Sequence, residues 1–321
     1  MKNRLLVITN MYPSTSKPYF GIFVKEQVEE LSECINLSVL SKETKGNRIF
    51  TELFFVFNVC RKVLQSRGDV IHVHFGLTAI YLLPIIIYLK LNKTKLILTL
   101  HGSDLLGSNW FVPRWTKFIL NHFDLIIAVS KQIELKAIEV VGKDKVVWLP
   151  CGIDNKFFTN TNDDIILSKI RKRIIVFPST PSREEKDYDR FKKIIDLVEK
   201  ETDIRFEVLC LTGLSRESVI DTLKNATCLL MTSKYEGSPQ TVKEAIALGT
   251  PVVSTAVGDV PFILKSFENC LCSNLDQDLA LQVVSLLKSG ARVRKSSTFE
   301  EQYKQSSIVS KLIAIYKSKC L

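Results

Sequence analysis

Residues 226–255 read ATCLLMTSKYEGSPQTVKEAIALGTPVVST. A short apolar run, Cys228 to Met231, ends in Thr-Ser and gives way to a polar loop holding Gly237 and Pro239. That is a strand leaving a sheet. Ser238 suits a helix N-cap, Pro239 the first helical position, and Gly249 with Pro251 a stop, so the spacing predicts a helix between them. Val242, Ala245, Ile246 and Gly249 recur at helical spacing as the face that packs on a sheet. Glu244 falls nearly opposite them, beside Gln240, toward solvent or a cleft. Val252 and Val253 then begin a second apolar run. Strand, helix and strand in so short a stretch predict a parallel βαβ unit.

The same alternation fills the chain. RLLVITN, DVIHVHF, KLILTLHG and DLIIAVS in the first half, and RIIVFPS and RFEVLCL in the second, are β-branched runs separated by helical patterns. They predict an α/β protein with two doubly wound, Rossmann-like parallel sheets. The length, 321 residues, suits two domains better than one. LPCGIDNKFFTNTNDD at 149–164 has the Pro, Gly and polar residues of a linker, which places a boundary near 160. The expected parts are 1–160, 161–300 and an amphipathic terminal helix over 301–321, spaced by Tyr303, Val309, Leu312, Ile313 and Tyr316.

Composition excludes several classes. At 46% hydrophobic and 24% charged, the chain is too apolar for disorder. Its eight cysteines form no C-x-x-C pair, and nothing at the N-terminus resembles a signal peptide, so they are expected as reduced thiols in the cytoplasm. Cys270 and Cys272 lack a second ligand pair and fit a short buried strand better than a metal. GLTAIYLLPIIIYLKL at 76–91 is too short for a comfortable membrane span and holds Pro84, which predicts a buried helix. Of the net charge of +10, residues 1–157 carry +7, from 20 basic against 13 acidic side chains. Such an excess suits phosphorylated ligands or an anionic membrane. Nucleic acid is not expected: there is no Arg-rich recognition helix, aromatic RNA-binding signature or zinc-finger spacing.

The predicted helix start at Ser238, Pro239, Gln240 and Thr241 would present free N–H groups to a phosphate. A diphosphate there could set ribose hydroxyls near Glu244 and a sugar near Glu236. Taken alone, the two glutamates read more readily as an exposed helix residue and a loop residue.

The segment EGSPQTVKEAIALGTPVV, 236–253, resembles the donor-binding E-x7-E signature of retaining glycosyltransferases of family 4, matching at Glu236, Gly237, Pro239, Glu244, Ala245, Ala247, Gly249, Pro251, Val252 and Val253. ITNMYPSTSKPYFGIFVKEQVEEL resembles the family's opening strand, loop and helix, where Gly21 would let the loop approach the donor phosphates. LILTLHGSDL resembles the strand that ends in the active-site histidine, here His101. In VFPSTPSREEKDYDRF, Arg183 and Lys186 stand where the family has a diphosphate-neutralising arginine and lysine, without the glycines usual beside them.

The resemblance implies a GT-B fold with two sheets facing across a cleft. It implies retaining transfer of a hexose from a nucleotide diphosphate sugar to a hydroxyl of a glycan or lipid-linked glycan. His101 and Glu236 would position the sugar, and Glu244 would hold the ribose. No metal is expected, since the cations and the helix start could replace one; Asp187 and Asp189 fit a solvated pair at a helix start. His74 fits a packed or acceptor-side role. Work at the inner face of the cytoplasmic membrane is implied for many relatives. A GT-B epimerase and a non-catalytic sugar-nucleotide-binding protein remain as alternatives.

Overall fold

The computed structural model describes residues 5–14, 19–42, 48–66, 70–107, 110–158, 173–294 and 296–319. The chain forms two units, Met1–Gly152 with Gln305–Leu321, and Ile153–Lys304. Much of the polar tract expected as a linker lies outside the described residues.

In the first unit the elements are β1 (Leu5–Thr9), α1 (Ile22–Cys34), β2 (Leu37–Ser41), α2 (Arg48–Ser66), β3 (Val70–His74), α3 (Ile86–Leu91), β4 (Lys95–Leu100), α4 (Ser103–Leu106), α5 (Phe111–Leu120), β5 (Leu125–Ala128), α6 (Lys131–Val141) and β6 (Val146–Trp148). The six strands are parallel in the order β2-β1-β3-β4-β5-β6. β1, β3, β5 and most of β4 are buried along their length, as continuous apolar runs under two helical layers require. In register, Thr9 lies beside His74 and His74 beside Thr99, so polar groups line up at the carboxyl edge.

The expected helix over 76–91 is a correction. Gly76–Ile85 is a 3-10 helix, and α3 starts only after it. Pro84 lacks an N–H and its ring crowds the preceding turn, which disfavours a continuous α-helix there. Nor is the segment wholly buried, since Ile87 and Leu91 face outward.

The second unit contains β7 (Ile174–Phe177), α7 (Tyr188–Glu201), β8 (Glu207–Cys210), α8 (Arg216–Asn225), β9 (Cys228–Met231), α9 (Gln240–Ala247), β10 (Val252–Ser254), α10 (Val260–Leu264), β11 (Leu271–Cys272), α11 (Asp276–Ser289) and α12 (Ser297–Tyr303). Its strands are parallel in the order β11-β10-β9-β7-β8. One face packs under α8, α9 and α10, the other under α7 and α11. Cys270 and Cys272 serve this sheet: Val252 N–H donates to the Cys270 sulfur at 3.3 Å, and burial pushes that thiol up to about 11.

The terminal helical pattern resolves into two helices. α12 belongs to the second unit; Lys304 is extended, and α13 (Gln305–Lys319) lies in the first. Ile308, Val309, Leu312 and Tyr316 of α13 pack with Val24, Val28 and Leu31 of α1 against the sheet face that α2 does not cover.

Candidate active site

Ligands of open parallel sheets bind at the carboxyl edge where strand order reverses. In the second unit that point lies between β7 and β9, because β8 flanks β7 on one side and β9 leads toward β11 on the other. The loops leaving β7 and β9 are bound together there. The Thr232 hydroxyl lies within hydrogen-bond reach of the Lys186 and Asp187 carbonyls, at 3.1 and 2.9 Å, and the Lys234 N–H donates to the Glu185 carbonyl at 2.9 Å.

This joins two residues singled out in the sequence fifty positions apart. Lys186 Nζ donates to Glu236 Oε1 at 2.5 Å, and the Ser233 hydroxyl donates to the same oxygen at 2.8 Å. The lysine and glutamate side chains are only 11% and 15% exposed. A charge pair so shielded from water interacts more strongly than a surface pair, and it holds the ammonium in one place. Arg183 is arranged differently. Its guanidinium is half exposed and pairs with Glu185 through Nε at 2.6 Å. Asp187, at φ 51°, caps α7 by accepting from Arg190 N–H, and Asp189 pairs with Lys192 at 2.8 Å, which is the helix-start role expected of them.

Two details of the signature segment are corrected. Ser238 is not the N-cap, nor Pro239 the first helical residue. Pro239 occupies the cap with ψ 123°, and α9 begins at Gln240. The extended Pro239 delays the helix by one residue, leaving the Ser238 hydroxyl buried without a hydrogen-bond partner. The first N–H groups of α9, from Gln240 and Thr241, have no intrahelical acceptor.

Glu244 does not face solvent: the residue is 5% exposed. α8 packs beside α9 and brings Arg216, whose NH1 donates to Glu244 Oε1 at 2.8 Å. The guanidinium also lies 4.8 Å from the centre of the buried Phe157 ring. A helical projection of α9 alone could not include the neighbour that covers it. Glu244→Gln is expected to cost about 2 kcal/mol of stability, because it strips the charge partner from a mostly buried arginine. Arg216→Gln beside it should recover part of that loss. Urea unfolding of the four proteins measures the coupling.

A third loop supports Glu236 from below. Asp259 N–H donates to the Gly237 carbonyl at 2.9 Å, and the Thr255 hydroxyl donates to the Ser233 carbonyl at 2.8 Å. Gly258 makes this possible: at φ +52°, a Cβ on it would stand 2.3 Å from the Gly237 carbonyl oxygen and 2.6 Å from that of Glu236.

In the first unit the corresponding edge carries His101, one residue beyond β4. Its Nε2 is 3.1 Å from His74 Nδ1, its Nδ1 is 3.7 Å from the Cys151 sulfur, and its ring centre is 5.1 Å from that of Phe23. His72 lies behind His74, with Nε2 2.7 Å from the Thr99 hydroxyl and Nδ1 2.6 Å from the Tyr316 hydroxyl on α13. Burial pushes His74 down to about 3 and His72 well below its ordinary value, so both are neutral at neutral pH. His101 is thus set by packing, by a hydrogen bond to an uncharged imidazole and by the contact of its other ring nitrogen with the Cys151 sulfur. Gly21 begins α1 at φ +70°, and a Cβ there would sit 2.4 Å from the Met11 carbonyl carbon, so only glycine admits this approach of the β1 loop.

Asp104 was not singled out from sequence, yet it ties the two strand ends together. Fully buried, it accepts from Gly76 N–H at 2.5 Å and from His101 N–H. Burial raises its pKa to about 7 against the opposing pull of those donors.

Residues 29–157 match the model of Glycosyltransferase Family 4, and residues 184–305 match that of Glycosyl transferases group 1. The chain belongs to this family of glycosyltransferases. N-acetyl-alpha-D-glucosaminyl L-malate synthase of Bacillus anthracis is 24% identical to this glycosyltransferase over 286 residues, covering 77% of this chain and 74% of that one. A Bacillus subtilis protein named as a teichuronic acid biosynthesis glycosyltransferase, TuaC, is also 24% identical, over 84% of this chain and 85% of its own. Among solved structures, sucrose-phosphate synthase from Thermosynechococcus elongatus superposes with a TM-score of 0.71 at 16% identity, covering 98% of both chains. Anabaena HepE in complex with UDP and glucose gives 0.67 at 14%, covering 99% of this chain and all of its own. The two parallel sheets are therefore those of a GT-B glycosyltransferase.

The raised pKa of Asp104 has a measurable consequence for this glycosyltransferase. The unfolded carboxyl titrates near 4 and the folded one near 7, so between those values the folded state holds more protons. Stability from this group is full below about pH 4 and falls as pH rises toward 7. Asp104→Asn removes the titration but keeps only one acceptor oxygen for the two N–H groups, a loss that does not vary with pH. Its stability relative to wild type should rise from pH 5 to pH 8, as measured by urea midpoints.

Proposed function

We propose that this glycosyltransferase moves a hexose from a nucleotide diphosphate sugar to a hydroxyl of a glycan or lipid-linked glycan, with retention of the anomeric configuration, in the synthesis of a cell-surface polysaccharide. The observation that carries the reading is the shielded Lys186–Glu236 pair at the reversal of strand order, beside the start of α9. Departure of the nucleoside diphosphate builds negative charge, and a preorganised ammonium in a site of restricted hydration stabilises it without reorganisation. Lys186 supplies that charge, the start of α9 supplies aligned backbone dipoles, and Ser238 offers an unpartnered hydroxyl at the same loop. Arg183 adds a positive field from a more exposed position.

Glu236, fixed by Lys186 and Ser233, holds the sugar, and Arg216 fixes the Glu244 carboxylate for the ribose. By the family resemblance His101 is assigned to the sugar, and Gly21 lets the β1 loop approach the donor. No divalent metal takes part, since these cations and dipoles face the leaving group. The relatives named as an N-acetyl-alpha-D-glucosaminyl L-malate synthase and for teichuronic acid biosynthesis, and the neighbour solved with UDP and glucose, support the donor class. The basic excess of the first half supports working against an anionic membrane. Among the described residues, no helix is long and apolar enough to cross one.

A panel of nucleotide sugars tests the reading. The true donor, at a hundred times its Kd, should stabilise the protein by about 2.7 kcal/mol. Turnover should persist in excess chelator, and NMR of the product should show the donor's anomeric configuration. Inversion, or loss of turnover restored by manganese, would overturn the corresponding part.

A further inference from the structure

The α2 helix has two apolar faces. Phe55, Val59 and Val63 point into the core, and Phe50, Leu53, Phe54 and Phe57, at spacing i, i+3, i+4, i+7, point out. Phe50 is 73% exposed and Phe54 67%. One exposed phenylalanine is ordinary, but a stripe of them along a helix marks a contact surface.

The stripe has neighbours. α2 and α5 both pack on the 3-10 segment 76–85, α3 continues from it, and buried residues of all of these share one core against the same face of the sheet. Their outer sides therefore look away from that face together. On α3, Ile87 and Leu91 are exposed; at α5, Trp110 and Phe118 are. Within 49–66, 86–91 and 110–120 the charged residues are Arg61, Lys62, Lys90, Arg114 and Lys117 against the lone acid Glu52. That carboxylate is already engaged by Lys42 and by the Tyr81 hydroxyl at 2.6 Å.

We infer that the outer face of α2, with α3 and the start of α5, is a docking surface for an anionic lipid bilayer, into which the phenylalanines of α2 insert. The inference deepens the membrane part of the proposed function and rests on it. A helix lying in the interface buries its apolar side among the acyl chains while nearby cations meet anionic headgroups, and this surface has both parts. A second copy of the chain would set five cations against five, which opposes self-association. The inference also changes the physics of attachment. Charge alone would be screened out at high salt, whereas inserted phenylalanines would hold.

The test is co-sedimentation of the full chain with phosphatidylglycerol-containing vesicles and with phosphatidylcholine vesicles, for wild type and for Phe50→Ser/Phe54→Ser. Both positions are exposed, so the variant should melt as wild type does. The expected result is tight binding to the anionic vesicles that weakens but survives in 1 M salt, with about 30-fold weaker binding of the variant. Quenching of Trp110 fluorescence by brominated lipid, absent in Trp110→Phe, should report insertion. If wild type and variant bind equally, the surface is wrong while membrane association stands. If wild type ignores both vesicles, both fall, and nucleotide release from the donor in detergent-free solution still judges the transferase reading separately. A dimer in light scattering that Phe50→Ser/Phe54→Ser dissolves would assign the face to a second copy and overturn the inference.

Discussion

Lys186→Met should lower kcat/KM about a thousandfold while leaving both sheets folded. The substitution keeps much of the aliphatic stem and removes only the ammonium that Glu236 fixes at 2.5 Å. Loss of one preorganised stabiliser of transition-state charge typically costs two to three powers of ten, and here the partner suffers as well. Glu236 keeps the Ser233 hydroxyl but loses its cation in a setting where its side chain is 15% exposed. A loss of about 2 kcal/mol in stability should accompany the kinetic loss. Lys186→Met with Glu236→Gln separates the two effects: stability should return and turnover should not. Recovery of turnover in the double variant would show that the ammonium serves only to neutralise the glutamate.

Gly258→Ala should be almost as damaging, from a residue that carries no functional group. A methyl group there meets two carbonyl oxygens of the Glu236–Gly237 turn at 2.3 and 2.6 Å, and the backbone at φ +52° already disfavours any side chain. Together these cost about 2–5 kcal/mol unless the loop moves, and movement carries Glu236 with it. The expected result is a fall of at least about a hundredfold in kcat/KM, consistent with displacement of positioning groups by an ångström. Circular dichroism should be unchanged, because β10 and α10 are held by the surrounding apolar core. Unaltered kinetics would mean that the turn yields without moving the carboxylate.

The periodicity of apolar residues predicted both sheets well because buried parallel strands are nearly continuous apolar runs, and β7, β9 and β10 are buried throughout. It failed at 76–85, where Pro84 imposes a backbone preference that a count of apolar residues does not register. At the site, Lys186 and Glu236 were legible as motif residues, but their mutual contact was not, since it depends on the β7–β9 adjacency. For Glu244, placed from sequence toward solvent or a cleft, burial removes the first alternative for a related reason: Arg216 sits in LSRES, a stretch with no pattern to mark it, and reaches Glu244 only because α8 packs on α9. Asp104 and Gly258 act through backbone groups of other loops, and such roles leave no periodic trace. The exposed stripe of α2 follows a helical period as faithfully as its buried stripe, so spacing alone cannot say which of the two a sheet will cover.

The second unit begins and ends at neighbouring points. Ile153 pairs with Lys304 as an isolated parallel bridge, and Ile153 N–H donates to the Tyr303 carbonyl at 2.9 Å. Within the first unit, Gly152 meets Gln305 so closely that a Cβ on it would stand 2.8 Å from the Gln305 Cα. To the first unit, the folded second unit is therefore a clasp: α13 is tethered as if only a short turn separated it from Gly152. Should the second unit unfold, that clasp becomes a coil of about 150 residues, and closing it costs roughly 4 kcal/mol of chain entropy. The docking of α13, and with it the Tyr316 hydroxyl behind His72, is thus coupled to the folding of residues 153–304 through the covalent chain itself. A denaturation experiment should find the two units melting less independently than their separate cores suggest.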